Sequence, residues 1–215
     1  MKYLIHAYPA RMWYVEKYLV PSMTEQCISL ADITVWNDTN GRGNLGSFLD
    51  SVTYLKDKPG GTWHLQDDVI ISRDFAEKTA ENDTGIVCGY CCRNFQLKEP
   101  CGVVSAADQW YSFPCIRIPN DLLPGFLAWF ERNKARSAYC QYTRENKFDD
   151  FFWKEYCRLE LRETKALNLS PNIVDHVDYL IGGTLVNKDR LMRVNRATYF
   201  PDGDLVDALE KQLNK

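Results

Sequence analysis

Two adjacent aspartates, Asp67 and Asp68, follow the strand-like segment Trp63–Gln66 and precede another apolar run. Aspartate is depleted from strands, and a buried carboxylate without a partner is costly. A carboxylate pair at the carboxyl end of a strand therefore predicts a compensating cation, since ligands of open α/β sheets bind at that edge. Oxygen ligands that share a metal with substrate phosphates are typical of Mg²⁺ or Mn²⁺. The alternative is that Asp68 or Ser72 simply begins the next helix.

A histidine that could complete such a site lies much further along the chain. His176 stands in an apolar stretch with Asp175 and Asp178 close by. A neighbouring acid can orient the imidazole of a metal ligand through its second ring nitrogen. The alternative is a core or surface histidine with a structural role.

A second acid pair, Asp149 and Asp150, opens a predicted helix over Asp149–Leu161. One interpretation is a general base that deprotonates an acceptor hydroxyl. The alternative is helix capping, because acidic side chains stabilise the first turn of a helix.

Residues 37–47 form a glycine-rich loop between a predicted strand and a predicted helix. Such loops can cradle phosphates at a helix N-terminus. This one lacks the lysine of a P-loop and does not match the G-x-G-x-x-G spacing.

The chain has eight cysteines, four of which cluster at Cys88, Cys91, Cys92 and Cys101. That cluster could be half of a zinc site, although neither a second cluster nor a nearby histidine completes it. Reduced core or loop thiols are the other interpretation, and the sequence favours it because no secretory signal is evident.

The composition is that of a globular α/β protein. The chain has 215 residues, 45% of them hydrophobic, and a net charge of −3, which predicts one domain and argues against a broad phosphate-binding surface. The apolar run at residues 2–8 is too short for a signal peptide or a membrane span, so we expect a buried first strand and a cytoplasmic protein.

Strands and helices alternate over the first 80 or so residues, which predicts a largely parallel sheet with covering helices. The predicted strands are residues 2–8, Ile28–Trp36, Trp63–Asp68, Thr84–Cys92 and one or two within 104–118, with strand and turn character over Ser170–Val186. The predicted helices are Arg11–Pro21, Leu45–Leu55, Ser72–Ala80, Asp121–Asn133, Asp149–Leu161 and Asp204–Lys215.

The order of these features resembles that of GT-A glycosyltransferases, particularly small stand-alone enzymes of phages and bacteria. The resemblance implies a GT-A-like (Rossmann-like) α/β fold with a mixed, mostly parallel sheet flanked by helices, in a single domain over 1–215. Its nucleotide-sugar-binding part is expected at about 1–92, and its acceptor-binding and metal-closing part at about 93–215. One departure is Gln66, which stands where the DxD-type motif of the family begins with an acid.

The resemblance also implies roles for individual residues. The metal ligands would be Asp68 and His176, with Asp67 as a helper, and the metal would be Mn²⁺ or Mg²⁺. Asp150, or Asp149, would be the catalytic base of an inverting reaction. The donor-binding residues would be Ala7, Tyr8, Arg11, Asp38, Arg42, Gln66 and Asp67, and the acceptor-binding residues Trp110 and Tyr111.

The sequence thus predicts a metal-dependent glycosyltransferase that moves a sugar from a nucleotide-diphosphate sugar to an acceptor hydroxyl. One alternative is a phage enzyme that glycosylates a hydroxymethylated base in DNA, and another is a non-catalytic nucleotide- or metal-binding protein. Two basic runs bear on the DNA alternative, although solvated surfaces explain them equally simply. They are Arg132, Lys134, Arg136 and Arg144, and then Lys188, Arg190, Arg193 and Arg196.

Overall fold

Three parallel strands build one half of the central sheet. They are β1 (Lys2–Ala7), β2 (Ile33–Asn37) and β3 (Gly61–Gln66), and β1 lies between the other two. The structure is a computed structural model that describes residues 1–90, 102–105, 113–145, 149–182, 197 and 199–214.

The other half of the sheet is mixed. It contains β5 (Ile86–Cys88), β6 (Gly102–Ser105), β7 (Cys115–Pro119) and β8 (Lys165–Asn168), and the seven strands lie in the order β2-β1-β3-β7-β5-β8-β6. Only β7 and β6 run against their neighbours, so five of the seven described strands point the same way. The predicted α/β class with a mostly parallel sheet flanked by helices is confirmed.

Helices cover both faces of this sheet. One face packs against α3 (Gly43–Leu55), α5 (Leu123–Asn133) and α7 (Asp149–Glu160) through an aromatic-rich core that includes Phe48 and Trp153. The other face packs against the N-terminal helical run, α4 (Phe75–Glu81) and α9 (Gly203–Leu213). The remaining described helices are α1 (Met12–Tyr14), α2 (Val20–Glu25), α6 (Ser137–Glu145) and α8 (Asp178–Ile181).

The predicted helix Arg11–Pro21 is part of a longer and less regular helical run. It begins with a 3-10 turn at Pro9–Arg11, passes through a π turn at Val15–Leu19 and ends with α2. The π turn stands directly before the segment that contains Pro21, whose nitrogen has no hydrogen to donate to a regular helical ladder.

The first half of the strand predicted over Ile28–Trp36 is wrong. A 3-10 turn occupies Leu30–Asp32, and β2 begins only at Ile33. The backbone N–H of Ala31 donates to the hydroxyl of Ser29. This local hydrogen bond favours the 3-10 turn over an extended strand at these residues.

Ser72 does not cap the helix predicted over Ser72–Ala80. Its backbone N–H donates to the Ile173 carbonyl over 2.9 Å, its hydroxyl donates to the Asp74 carboxylate, and α4 begins at Phe75. The residues before it form a strand, β4 (Val69–Ile71), which pairs with β9 (Val174–His176) in a small antiparallel sheet.

Asn120 directly precedes the helix predicted over Asp121–Asn133. It begins a 3-10 turn, and its side-chain oxygen accepts a hydrogen bond from the Thr62 hydroxyl in the adjoining strand.

Within the described part of the chain, no helix has the length and apolar character needed to cross a membrane.

Candidate functional site

The candidate site lies at the carboxyl ends of β1 and β3, where ligands of parallel sheets bind. β1 leads through Ala7 into the 3-10 turn that carries Arg11, and β3 leads through Gln66 into Asp67 and Asp68. Adjacent strands therefore deliver a buried guanidinium and a buried acid pair to one position.

Arg11 bridges the two carboxylates. Its Nη1 atom donates to Asp67 Oδ1 over 2.9 Å and also to Asp68 Oδ2. The three side chains are at most 9% exposed, so this is a buried ion cluster rather than a surface salt bridge. The backbone N–H of Tyr8 completes the cluster with a 2.5 Å hydrogen bond to Asp67 Oδ2.

The structure brings His176 to the same acid pair. Its Nε2 atom lies 3.1 Å from Asp68 Oδ1. The small β4–β9 sheet fixes this approach, because Val69 pairs with His176 and the Val177 N–H donates to the Asp68 carbonyl over 2.8 Å. Two distant stretches of chain thus meet at one buried point, as the metal-site prediction requires.

Of the acids near His176, Asp178 faces its ring. Asp178 Oδ1 lies 3.5 Å from the Nδ1 atom. Asp175 instead is fully buried and accepts hydrogen bonds from the backbone N–H groups of His176 and Ala197. Asp178 is therefore the acid nearest to the Nδ1 atom, although Nδ1 has no hydrogen bond from the described residues, and Asp175 holds backbone in place.

The charged groups of this cluster shift one another's pKa values. Burial and repulsion from Asp68 raise the pKa of Asp67 to about 6, against the opposing effect of Arg11. Burial would raise the pKa of Asp68, but His176 and Arg11 outweigh it and hold this pKa below its ordinary value. Burial likewise would lower the pKa of His176, but Asp68 and Asp178 raise it. The cluster is stabilised by complementary charges rather than by solvent.

The donor atoms at Asp68 and His176 fit a divalent cation. Asp68 Oδ1 is buried and has no hydrogen-bond partner among the described residues, although it faces His176 Nε2. Two ligands each about 2.1 Å from a metal and at right angles lie about 3 Å apart, close to the separation of these atoms. Among the described residues, no group of three or more His, Cys, Asp or Glu side chains has metal-binding geometry. Asp68 and His176 would supply two ligands of such a metal, and Mg²⁺ commonly takes further ligands from substrate phosphates and water.

The other predicted donor residues surround this cluster unequally. Ala7 and Gln66 end the two strands that carry it. Asp38 is tied to the same edge, since its N–H donates to the Ala7 carbonyl over 2.9 Å. Its carboxylate accepts the backbone N–H groups of Arg42 and Gly43 and so holds the start of α3.

Arg42 is directed along α3 rather than toward the acid pair. Its guanidinium lies 3.4 Å from the carboxylate of Asp50, one helical turn or more into α3, and its side chain is 54% exposed. The structure therefore shows a helix-surface ion pair at this residue.

The acid pair at the start of α7 binds backbone N–H groups of the first helical turn and is partly buried. Asp149 Oδ1 accepts the N–H of Asp150, and Asp150 Oδ1 accepts the N–H of Phe151. Burial and the neighbouring Asp150 charge raise the pKa of Asp149 to about 8, and burial raises that of Asp150 to about 6. α7 leads through a short turn into the beginning of β8, which runs parallel to β5.

Several predicted residues lie outside the described part of the chain. These are Trp110 and Tyr111, the cysteines Cys91, Cys92 and Cys101, and the basic residues Lys188, Arg190, Arg193 and Arg196. The described Cys88 is buried in β5.

A histidine pair beneath the site was not predicted. His6 on β1 and His64 on β3 join through a 3.0 Å hydrogen bond between His6 Nε2 and His64 Nδ1. Burial lowers the pKa of His6 to about 4 and that of His64 well below its ordinary value. Both histidines alternate with core residues along their strands, and that common pattern was the available signal.

Neither protein-family models nor curated proteins give a match to this chain. Among solved structures, the chain is similar to the crystal structure of A197 from STIV, with 16% sequence identity and a TM-score of 0.48. The match covers 82% of this chain and 85% of that one. A likeness at this level bears on neither activity nor site residues.

Proposed function

We propose that the chain is a metal-dependent glycosyltransferase that moves a sugar from a nucleotide-diphosphate sugar to an acceptor hydroxyl. The observation that carries the proposal is the approach of Asp68 and His176 to 3.1 Å at the carboxyl edge of the sheet. A buried carboxylate oxygen without a hydrogen bond, facing an imidazole nitrogen, is a donor set for Mn²⁺ or Mg²⁺.

The bound cation would act as a Lewis acid that neutralises charge on the leaving diphosphate. Arg11 supplies positive charge next to Asp68, where that charge develops. The cluster is bordered by the last residues of β1 and β3, Ala7 and Gln66, and by Tyr8, whose N–H donates to Asp67. These three residues are proposed to contact the donor.

Asp150 is the better candidate for the general base of an inverting reaction. With a pKa raised to about 6 it remains mostly ionised at neutral pH and accepts a proton more readily than an ordinary aspartate. Burial and the charge of Asp150 raise the pKa of Asp149 as well, so Asp149 stays the second candidate.

The DNA-glycosylating alternative gains no support from the first basic run. The ammonium of Lys134 lies 2.6 Å from the Glu131 carboxylate, and Arg136 donates to the side chain of Asn133. These contacts describe helix-surface charges. A non-catalytic module remains the competing hypothesis, and it predicts nucleotide binding without turnover.

A donor screen tests the proposal. The protein is incubated with Mn²⁺ and a panel of nucleotide sugars, and the released nucleotide diphosphate is measured. We expect release from one donor, and a loss of at least about a hundredfold in Asp68→Asn and in His176→Ala.

The matched control is Asp204→Asn, since Asp204 also pairs with an arginine but is 68% exposed on α9. We expect this variant to keep wild-type release. Unchanged release and unchanged nucleotide binding in both site variants would reject the site. Nucleotide binding that needs Asp68 but never leads to turnover would favour the non-catalytic module.

A further inference from the structure

Arg11 already supplies a positive charge to the acid pair. Its guanidinium contacts one oxygen of Asp67 and one of Asp68, and its side chain is 9% exposed. The remaining Asp68 oxygen faces His176 and has no hydrogen bond from the described residues. The two carboxylates and the guanidinium together carry one net negative charge, and His176 Nε2 is the group that faces it.

Arg11 is also held from its other side. Its Nε atom donates to the Gly182 carbonyl over 2.9 Å. The guanidinium is thus fixed between the acid pair and the segment that follows His176. A fixed positive charge so close to Asp68 repels a second cation, and the buried surroundings screen this repulsion weakly.

We propose that Arg11 is a resident counter-cation that competes with a divalent metal for the charge of Asp67 and Asp68. The inference rests on the proposed metal site at Asp68 and His176. Arg11 stabilises the site when no metal is bound and lowers its affinity for a bare metal ion. A diphosphate offers the guanidinium new acceptors and adds negative charge, which relieves the competition. The site thereby favours a metal that arrives with a diphosphate over metal alone.

The test is Mn²⁺ binding without any nucleotide, measured by the electron paramagnetic resonance signal of free Mn²⁺. Arg11→Gln removes the competing charge, so we expect it to bind Mn²⁺ at least about tenfold more tightly than the wild type. Arg11→Lys keeps a positive charge but replaces the planar two-carboxylate bridge by a point contact. We expect an affinity between those of the other two proteins.

Arg73→Gln is the matched control. Arg73 also bridges two carboxylates, those of Asp202 and Asp204, but it is 57% exposed and contacts neither Asp68 nor His176 in the described structure. We expect wild-type Mn²⁺ affinity in this variant. A gain equal to that of Arg11→Gln would overturn the inference, since it would show a general effect of net charge.

Equal or weaker Mn²⁺ binding in Arg11→Gln would also overturn it. If Arg11→Gln does not fold, as judged by circular dichroism, Arg11→Lys decides by the same criterion. Tight Mn²⁺ binding by the wild type with no gain in the variants would reject the competition while supporting the metal site. An absence of Mn²⁺ binding in every protein would reject both.

Discussion

A hydrogen bond between Arg11 and Gly182 connects the acid pair to the segment that follows His176. The Arg11 Nε atom donates to the Gly182 carbonyl over 2.9 Å, while the guanidinium holds both aspartates. Gly182 follows α8 with φ 71° and ψ −168°, a backbone region that is essentially restricted to glycine. The carbonyl that orients Arg11 therefore depends on a residue without a side chain.

We expect Gly182→Ala to lower the free energy of unfolding by about 1–3 kcal/mol. No atom of the described residues lies within 4 Å of the added Cβ, so the expected cost comes from backbone strain. Urea denaturation measures it. Gly203→Ala is the control, because its Cβ also meets nothing within 4 Å and its φ is ordinary. A loss no larger than that of Gly203→Ala would contradict the prediction.

Asp38 allows the capping effect of its side chain to be separated from the effect of its charge. Asp38→Ala removes the acceptors of the Arg42 and Gly43 N–H groups, and we expect a loss of about 1 kcal/mol in unfolding free energy. Asp38→Asn should keep most of this stability, because asparagine caps helices as well as aspartate. Thermal or urea unfolding compares the two variants, and equal losses would show that the charge matters more than the cap.

The Asp149–Asp150 pair predicts a stability that falls as pH rises. Since the folded-state pKa values lie at about 8 and about 6, above that of an unfolded aspartate, the native state holds extra protons between about pH 4 and pH 8. The unfolding free energy therefore decreases through this window.

Asp149→Asn removes one of the two titrating carboxyl groups, and with it the loss of stability on ionisation, while it keeps a capping side chain. We expect the variant to gain about 1 kcal/mol over the wild type at pH 8 and nothing at pH 4. Urea denaturation at the two pH values gives the difference. An Asp149→Asn variant with a lower unfolding free energy than the wild type at pH 8 would show that the paired carboxylates do not destabilise the folded protein.

The His6–His64 pair predicts the opposite trend at acid pH. Both folded pKa values lie below that of an unfolded histidine, so the unfolded chain takes up protons first. The contribution is complete above about pH 6.5 and is lost as pH falls toward about 4.

His64→Gln keeps a hydrogen-bonding side chain but cannot titrate. We expect its unfolding free energy to fall less between pH 7 and pH 4.5 than that of the wild type, by about 1–2 kcal/mol. His6→Gln should behave similarly, because the two imidazoles share one hydrogen bond. Parallel pH curves for the wild type and both variants would contradict this prediction.

The sequence predicted the parts of the fold that depend on local patterns. β1 and β3 are apolar runs with a clear polar end, and the 3.6-residue spacing of apolar side chains predicted α3. β4 was missed because Val69–Ile71 is only three residues long and gains its partner, β9, from far along the chain. The sequence suggests a helix cap at Ser72 because its backbone partner, Ile173, is about a hundred residues further along the chain.

The candidate site shows the same division. The types and order of Asp67, Asp68 and His176 suggested a shared cation, but only the packed structure shows the distance between their atoms. No local pattern indicated that Arg11 lies on both aspartates, because that contact needs β1 and β3 to be neighbours. The His6–His64 pair depends on the same neighbouring strands.

The pairing of β4 with β9 has a consequence for how this chain can vary. Asp68 directly precedes β4 and His176 ends β9. The register of the β4–β9 pairing therefore fixes the position of His176 relative to Asp68. Inserting or deleting a single residue in either strand would turn His176 to the opposite face of the ribbon. Homologues that keep this site should therefore keep the lengths of β4 and β9 constant.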